Sequence, residues 1–133
     1  MAKKLLDKKA ILNAVQLPSE VVDVPEWGGQ VRVRGLSGRQ LDAYQLQFMD
    51  VGGQADPARM VNMRAGLVSR TVIDEDGELL FGPDDVQALG ELSASALDRV
   101  FKVAQRLSGI GTEQREALIE NFTQTPSGVN GSA

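Results

Sequence analysis

A chain of 133 residues, 42% hydrophobic and 24% charged, has the size and balance of one folded domain with a single hydrophobic core. It holds neither cysteine nor histidine, which removes disulfides, thiol nucleophiles, cysteine zinc sites, the neutral-pH proton shuttle and His-based catalytic triads. Its net charge of −4 arises in residues 73–92, where Asp74, Glu75, Asp76, Glu78, Asp84, Asp85 and Glu91 face no Lys or Arg; this −7 leaves +3 elsewhere and no broad basic footprint for nucleic acid.

The N-terminal MAKKLLDKKAILNAV is basic but lacks the apolar run and small-residue cleavage site of a signal peptide. No stretch approaches the roughly 20 apolar residues of a membrane span. A cytoplasmic protein is expected. Asp7 reads as the N-cap of a short leader helix with Ile11, Leu12 and Val15 on one side, closed by Pro18.

SEVVDV (Ser19 to Val24) then alternates as a strand, with Val22 and Val24 on one face and Val21 and Asp23 on the other. Pro25-Glu26-Trp27-Gly28-Gly29 supplies turn chemistry, and Gln30 to Gly35 alternates again with Val31 and Val33 opposite Arg32 and Arg34. The pair predicts a β-hairpin over about 19–35. SGRQ (Ser37 to Gln40) fits a capping box opening a helix with Leu41, Tyr44 and Phe48 on one stripe.

Asp56-Pro57 marks another helix start. From Ala58 to about Val72 the row Val61, Ala65, Val68 and Val72, flanked by Met60, Met63 and Leu67, predicts one continuous amphipathic helix with Arg59, Asn62 and Arg70 roughly opposite. TVIDEDGELLF suggests a small second hairpin over about 72–81, turning at Asp76-Gly77. Gly82-Pro83-Asp84-Asp85 starts a short helix ending near Gly90. Ser93 or Ser95 caps the next, with Ala96, Val100, Val103 and Leu107 in a row until Gly109 and Gly111. Thr112 caps a last helix to about Phe122, and the uncharged end is expected to be disordered. The fold class is therefore α+β, a mostly helical single domain. A leader (1–18) precedes a compact unit (19–122), and a flexible tail (123–133) follows.

Candidate chemistry is sparse. DEDGE (Asp74 to Glu78) resembles a calcium loop only superficially: Leu79 stands where the sharp turn needs glycine, and Asp85 where a bidentate glutamate belongs. An exposed acidic turn fits better, and the same exposure argues against paired-carboxylate catalysis. GLSGR and SGIG are too short for a phosphate loop. No metal, cofactor or enzymatic activity is expected.

Arg32, Arg34 and Arg39 make a small cationic spot, readable as a solvated strand face or as a docking point for an acidic partner, including the DEDGE turn of a second copy. Trp27 reads as a plug folded over the core or as an interface anchor. With Arg59 and Arg70 of the amphipathic helix, these are the candidate partner-binding residues.

VPEWGGQVRVRGLSGRQLDAY (Val24 to Tyr44), GLVSRTVIDEDGELLF (Gly66 to Phe81) and LDRVFKVAQRLSGIG (Leu97 to Gly111) together resemble the tail assembly chaperones of long-tailed bacteriophages. PEWGG followed by alternating Val-Arg and a Leu-Ser-Gly helix start is the most specific part, and the likeness runs over about residues 7–112. It implies a non-enzymatic factor that binds the tape-measure protein, prevents its aggregation and promotes assembly of the tail tube. It also implies action in the host cell cytoplasm and absence from the mature virion. In many such phages a frameshift-extended form recruits the tail-tube protein. A small structural tail protein, a tube or completion subunit retained in the virion, is the alternative. Self-association over a long helical client would follow from many copies lining it.

Overall fold

The computed structural model describes residues 4–14 and 16–110, so the expected last helix from Thr112 and the C-terminal tail lie outside the described residues. The leader helix α1 (Lys8–Leu12) starts where Asp7 predicts, with the Asp7 carboxylate accepting from the Ala10 N–H at 2.9 Å. It buries none of its residues, and Ile11 and Leu12 are both exposed. Its apolar side therefore has no counterpart in the core.

The hairpin forms as the alternation requires. Strands β1 (Ser19–Val24) and β2 (Gly29–Arg34) pair antiparallel, with Val22 opposite Val31 and Glu20 opposite Val33. A 3-10 turn at Pro25–Trp27 joins them, and Gly28 closes it at φ 77, in the left-handed region open to glycine. Ser37 and Gln40 make the expected capping box of α2 (Gly38–Leu46).

The predicted continuous helix from Ala58 to Val72 is broken in two. Pro57–Met60 is a 3-10 turn, Val61 is extended, Asn62 takes φ 69, and only then does α3 (Met63–Thr71) begin. Val61, expected in the buried row, is 74% exposed as a result. The second hairpin is shorter on its return arm than the sequence suggests. Its first arm, β3 (Val72–Ile73), joins β2 as the third strand of one antiparallel sheet ordered β1-β2-β3. Its second arm touches the first through one bridge, Ile73 to Leu79, flanked by the bonds from Leu80 N–H to Val72 O and from Asp74 N–H to Glu78 O.

After a 3-10 turn at Pro83–Asp85 come α4 (Val86–Gly90) and the long helix α5 (Ala94–Leu107), whose N-cap is Ser93. α5 ends in a Schellman arrangement. Gly109, at φ 80, donates to Arg106 O, and Ile110 donates to Gln105 O at 2.9 Å.

The core lies between the sheet and the helices. Val22, Val24 and Val33 of the hairpin and Val72 of β3 meet Ala96, Val100, Phe101 and Ala104 of α5, with Leu67 and Val68 of α3 filling the remaining side. The valine, leucine and phenylalanine side chains among them contribute roughly 1.5–3 kcal/mol each on full burial. All of these residues but Val72 lie on the face their periodicity assigns; Val72, expected as the last residue of a helical row, is buried from β3 instead. No described helix is long and apolar enough to cross a membrane.

Candidate functional site

The break at Val61 and Asn62 shapes the surface. α3, the 3-10 turn before it and the loop of residues 79–86 enclose a groove of about 440 Å³. Phe48, Val61, Leu79, Phe81 and Val86 supply its apolar lining; Arg59 and Arg70 supply its charge, and no carboxylate lines it among the described residues. A second depression of about 280 Å³ lies beyond Val61, with Met60, Met63, Leu92 and Leu97 along it. Val61 and Asn62 line both, so Val61 stands as an exposed apolar ridge between two hollows.

Rigid contacts hold the groove wall. Phe48 lies edge-on to Tyr44, ring centroids 5.0 Å apart. The Tyr44 hydroxyl donates to Met63 O at 2.9 Å. Burial pushes that hydroxyl above its ordinary value of 10.0, partly offset by the positive charge of Arg70. Arg70 sits with its guanidinium carbon 5.4 Å from the Tyr44 ring centroid, and its Nη1 donates to Gly66 O at 3.0 Å. Arg59 is exposed and pairs through Nε with Asp56 at 3.1 Å. Two preset guanidiniums beside an open apolar trough suit a helical segment with an aliphatic stripe and acidic flanks.

Of the six candidate residues, the groove brings together Arg59 and Arg70. Trp27 is elsewhere, half-buried and packed against the core at the hairpin turn. Arg34 is half-buried, and its Nη1 donates to Gly77 O at 3.0 Å. The acidic turn it grips is therefore that of its own chain. Arg32 is exposed at the centre of β2, and Arg39 is exposed in the first turn of α2. The acidic turn is closed by its own backbone: Asp74 Oδ1 accepts from the N–H groups of Asp76 and Glu78, and Gly77 takes φ 84.

Sequence reasoning misses the apolar groove residues. Val61 is hidden because its spacing fits a buried helical row. Leu79, Phe81 and Val86 are separated from it along the chain, and only the run GELLF hints at an apolar wall beside an acidic turn.

The chain is thus a mixed helix-and-hairpin unit that carries a charged-rim apolar groove. The chain belongs to the phage tail assembly chaperone family, whose model matches residues 7–119. The structure is similar to that of the tail assembly chaperone of bacteriophage HK97, at 25% sequence identity and a TM-score of 0.51, covering 68% of this chain and 84% of that one. No curated protein matches the sequence.

Proposed function

We propose that this chaperone binds the tape-measure protein of its phage, shields that protein's apolar helical surfaces from aggregation and promotes growth of the tail tube around it. It acts in the host cytoplasm and is left out of the finished virion; recruitment of tube protein falls to a frameshift-extended form. The observation that carries this reading is the groove with Val61 74% exposed and Leu79 47% exposed beside Arg59 and Arg70. Full burial of an exposed aliphatic side chain is worth about 1.5–3 kcal/mol; under a client helix Val61 gains most of that and the half-covered Leu79 about half, and the helix's acidic flanks meet the guanidiniums. Trp27, Arg32 and Arg39 are secondary contacts for the same client in this reading, and Arg34 supports the acidic turn.

Co-expression tests it. Wild-type protein is expected to keep the tape-measure protein soluble, whereas Val61→Asp and Arg59→Glu variants with native circular dichroism do not. Unchanged client solubility with both folded variants overturns the assignment. Mass spectrometry of purified particles finding the chain in stoichiometric amount would support the structural-subunit alternative instead.

A further inference from the structure

The groove beside α3 carries positive charge and exposed aliphatic side chains, and the chain continues past Ile110 with a segment of complementary chemistry, GTEQREALIENF (111–122). In the helix that the spacing predicts from Thr112, Leu118, Ile119 and Phe122 share one face. Glu116 and Glu120, four residues apart, run along the edge of that face next to Ile119. The segment's three glutamates outnumber its one arginine, Arg115. The groove suits the same pattern: an aliphatic stripe to cover Val61 and Leu79, and carboxylates for Arg59 and Arg70.

The place where α5 ends puts this segment within reach. Ser108 Oγ accepts from the Leu36 N–H at 3.0 Å, and Gly35 lies against the Leu107 backbone, so α5 finishes beside the end of β2. That is also the end at which α3 passes into β3. Val33 of β2 pairs with Val72, Gly35 follows Val33 by two residues, and Arg70 precedes Val72 by two. The chain therefore leaves α5 on the Arg70 side of the groove. The second depression lies at the other end of α5, where Ala94 and Leu97 line it.

We infer that residues 112–122 fold back as a helix onto the groove of their own chain, seating Leu118, Ile119 and Phe122 over Val61 and Leu79 with Glu116 and Glu120 towards Arg59 and Arg70. The free protein then holds its groove closed, and a client must displace this built-in occupant. A short tether sets an effective concentration on the order of 1 mM, so a contact with a dissociation constant of about 0.1 mM is roughly nine-tenths closed. Client affinity falls by the open fraction, about tenfold. That consequence rests on the groove being the client site; the docking itself does not.

The chain has no cysteine, so a spin label on Ala117→Cys is unique, and in the predicted helix Ala117 lies opposite the apolar face. In the full-length labelled protein the amide signals of Arg70, Leu79 and Val86 are expected to broaden, while Trp27, packed near the start of α5, keeps its signal. Leu118→Glu/Phe122→Glu in the labelled chain should restore the groove signals. No broadening in the groove overturns the inference, and so does broadening that survives the double substitution, as a loose tether passing nearby would give. Equal broadening of isotope-bearing chains without a spin label, mixed with spin-labelled chains without isotope, places the segment on a second copy and overturns it as well. In a titration against tape-measure aggregation, the double variant is expected to protect at about a tenth of the wild-type amount. If the broadening holds but protection is unchanged, the docking stands and the client assignment of the groove falls. If broadening is absent while Val61→Asp loses protection, the docking falls and the client assignment stands.

Discussion

Glu26 and Arg99, 73 positions apart, meet through both carboxylate oxygens: Arg99 Nε donates to Oε1 at 2.8 Å and to Oε2 at 3.0 Å. Ser95 Oγ adds a third bond to Oε2 at 2.9 Å. Together they fix the Pro25–Trp27 turn against the first half of α5, which holds Trp27 over the core rather than free in solvent.

Those bonds give a pH prediction. The Arg99 hydrogen bond, then the backbone of Glu26 itself, hold the Glu26 carboxyl below its usual 4.5, against a smaller upward push from desolvation. A depressed pKa contributes stability above the unfolded value and loses it as pH falls through the folded one. Glu26→Gln should therefore lower the thermal midpoint at pH 7, with a gap that narrows once pH drops below 4.5. The carboxylate is exposed, so the gap is small. A gap of constant size from pH 7 to pH 3 would show that charge is not its source.

Gly35 gives a packing prediction. It leaves β2 with its N–H donated to Pro18 O at 2.8 Å, while a side-chain carbon there would meet the Leu107 backbone, 2.8 Å from the carbonyl carbon. Gly35→Ala must push the end of α5 away from the hairpin, and the expected loss is about 1–3 kcal/mol. Gly38, with nothing within 4 Å of the same added atom, is the control. Gly38→Ala should be neutral or gain roughly 0.5 kcal/mol through the unfolded state. Urea unfolding midpoints separate the two.

The contrast between Ser37 and Asn62 explains how much was legible in the sequence. A cap, a hairpin turn or a β alternation is fixed by neighbours a few residues apart, so Asp7, Ser37, the Pro25–Gly29 turn and the buried valines of β1 and β2 were readable. Asn62 was not, because a helical row of apolar spacing says nothing about one residue entering the left-handed region. The return arm of the second hairpin was overestimated for a related reason: β3 satisfies its pairing with β2, leaving Leu79 and Leu80 to the loop. The groove joins residues 47–48, 59–70 and 79–86, and no local pattern connects those three segments.

Tyr44 gives a two-sided test. Its hydroxyl is bonded to Met63 O, so Tyr44→Phe should cost about 1 kcal/mol near neutral pH. Burial raises the folded pKa above the unfolded 10.0, which means that only the unfolded chain loses the proton as pH passes that value. The unfolded state then binds fewer protons, and wild-type stability falls with rising pH. The phenylalanine variant lacks that loss, so the two unfolding free energies should converge above pH 10.0. Parallel curves through that range would place the hydroxyl in contact with solvent.

Asn62 links stability to the groove. At φ 69 and ψ 22 it sits where asparagine is tolerated and alanine pays about 1–2 kcal/mol. It separates the 3-10 turn from α3 and so turns Val61 outward. Asn62→Ala favours a helix running through both segments, which would carry Val61 out of the groove. Two losses are expected together: a lower unfolding free energy by about 1 kcal/mol and weaker client protection on co-expression. Asn62→Gly, free to adopt the same φ, should retain client protection even where lost side-chain contacts lower its stability. Equal stability and equal client protection for the alanine variant would mean that Val61 reaches the groove without the left-handed residue, and the break would then be incidental to binding.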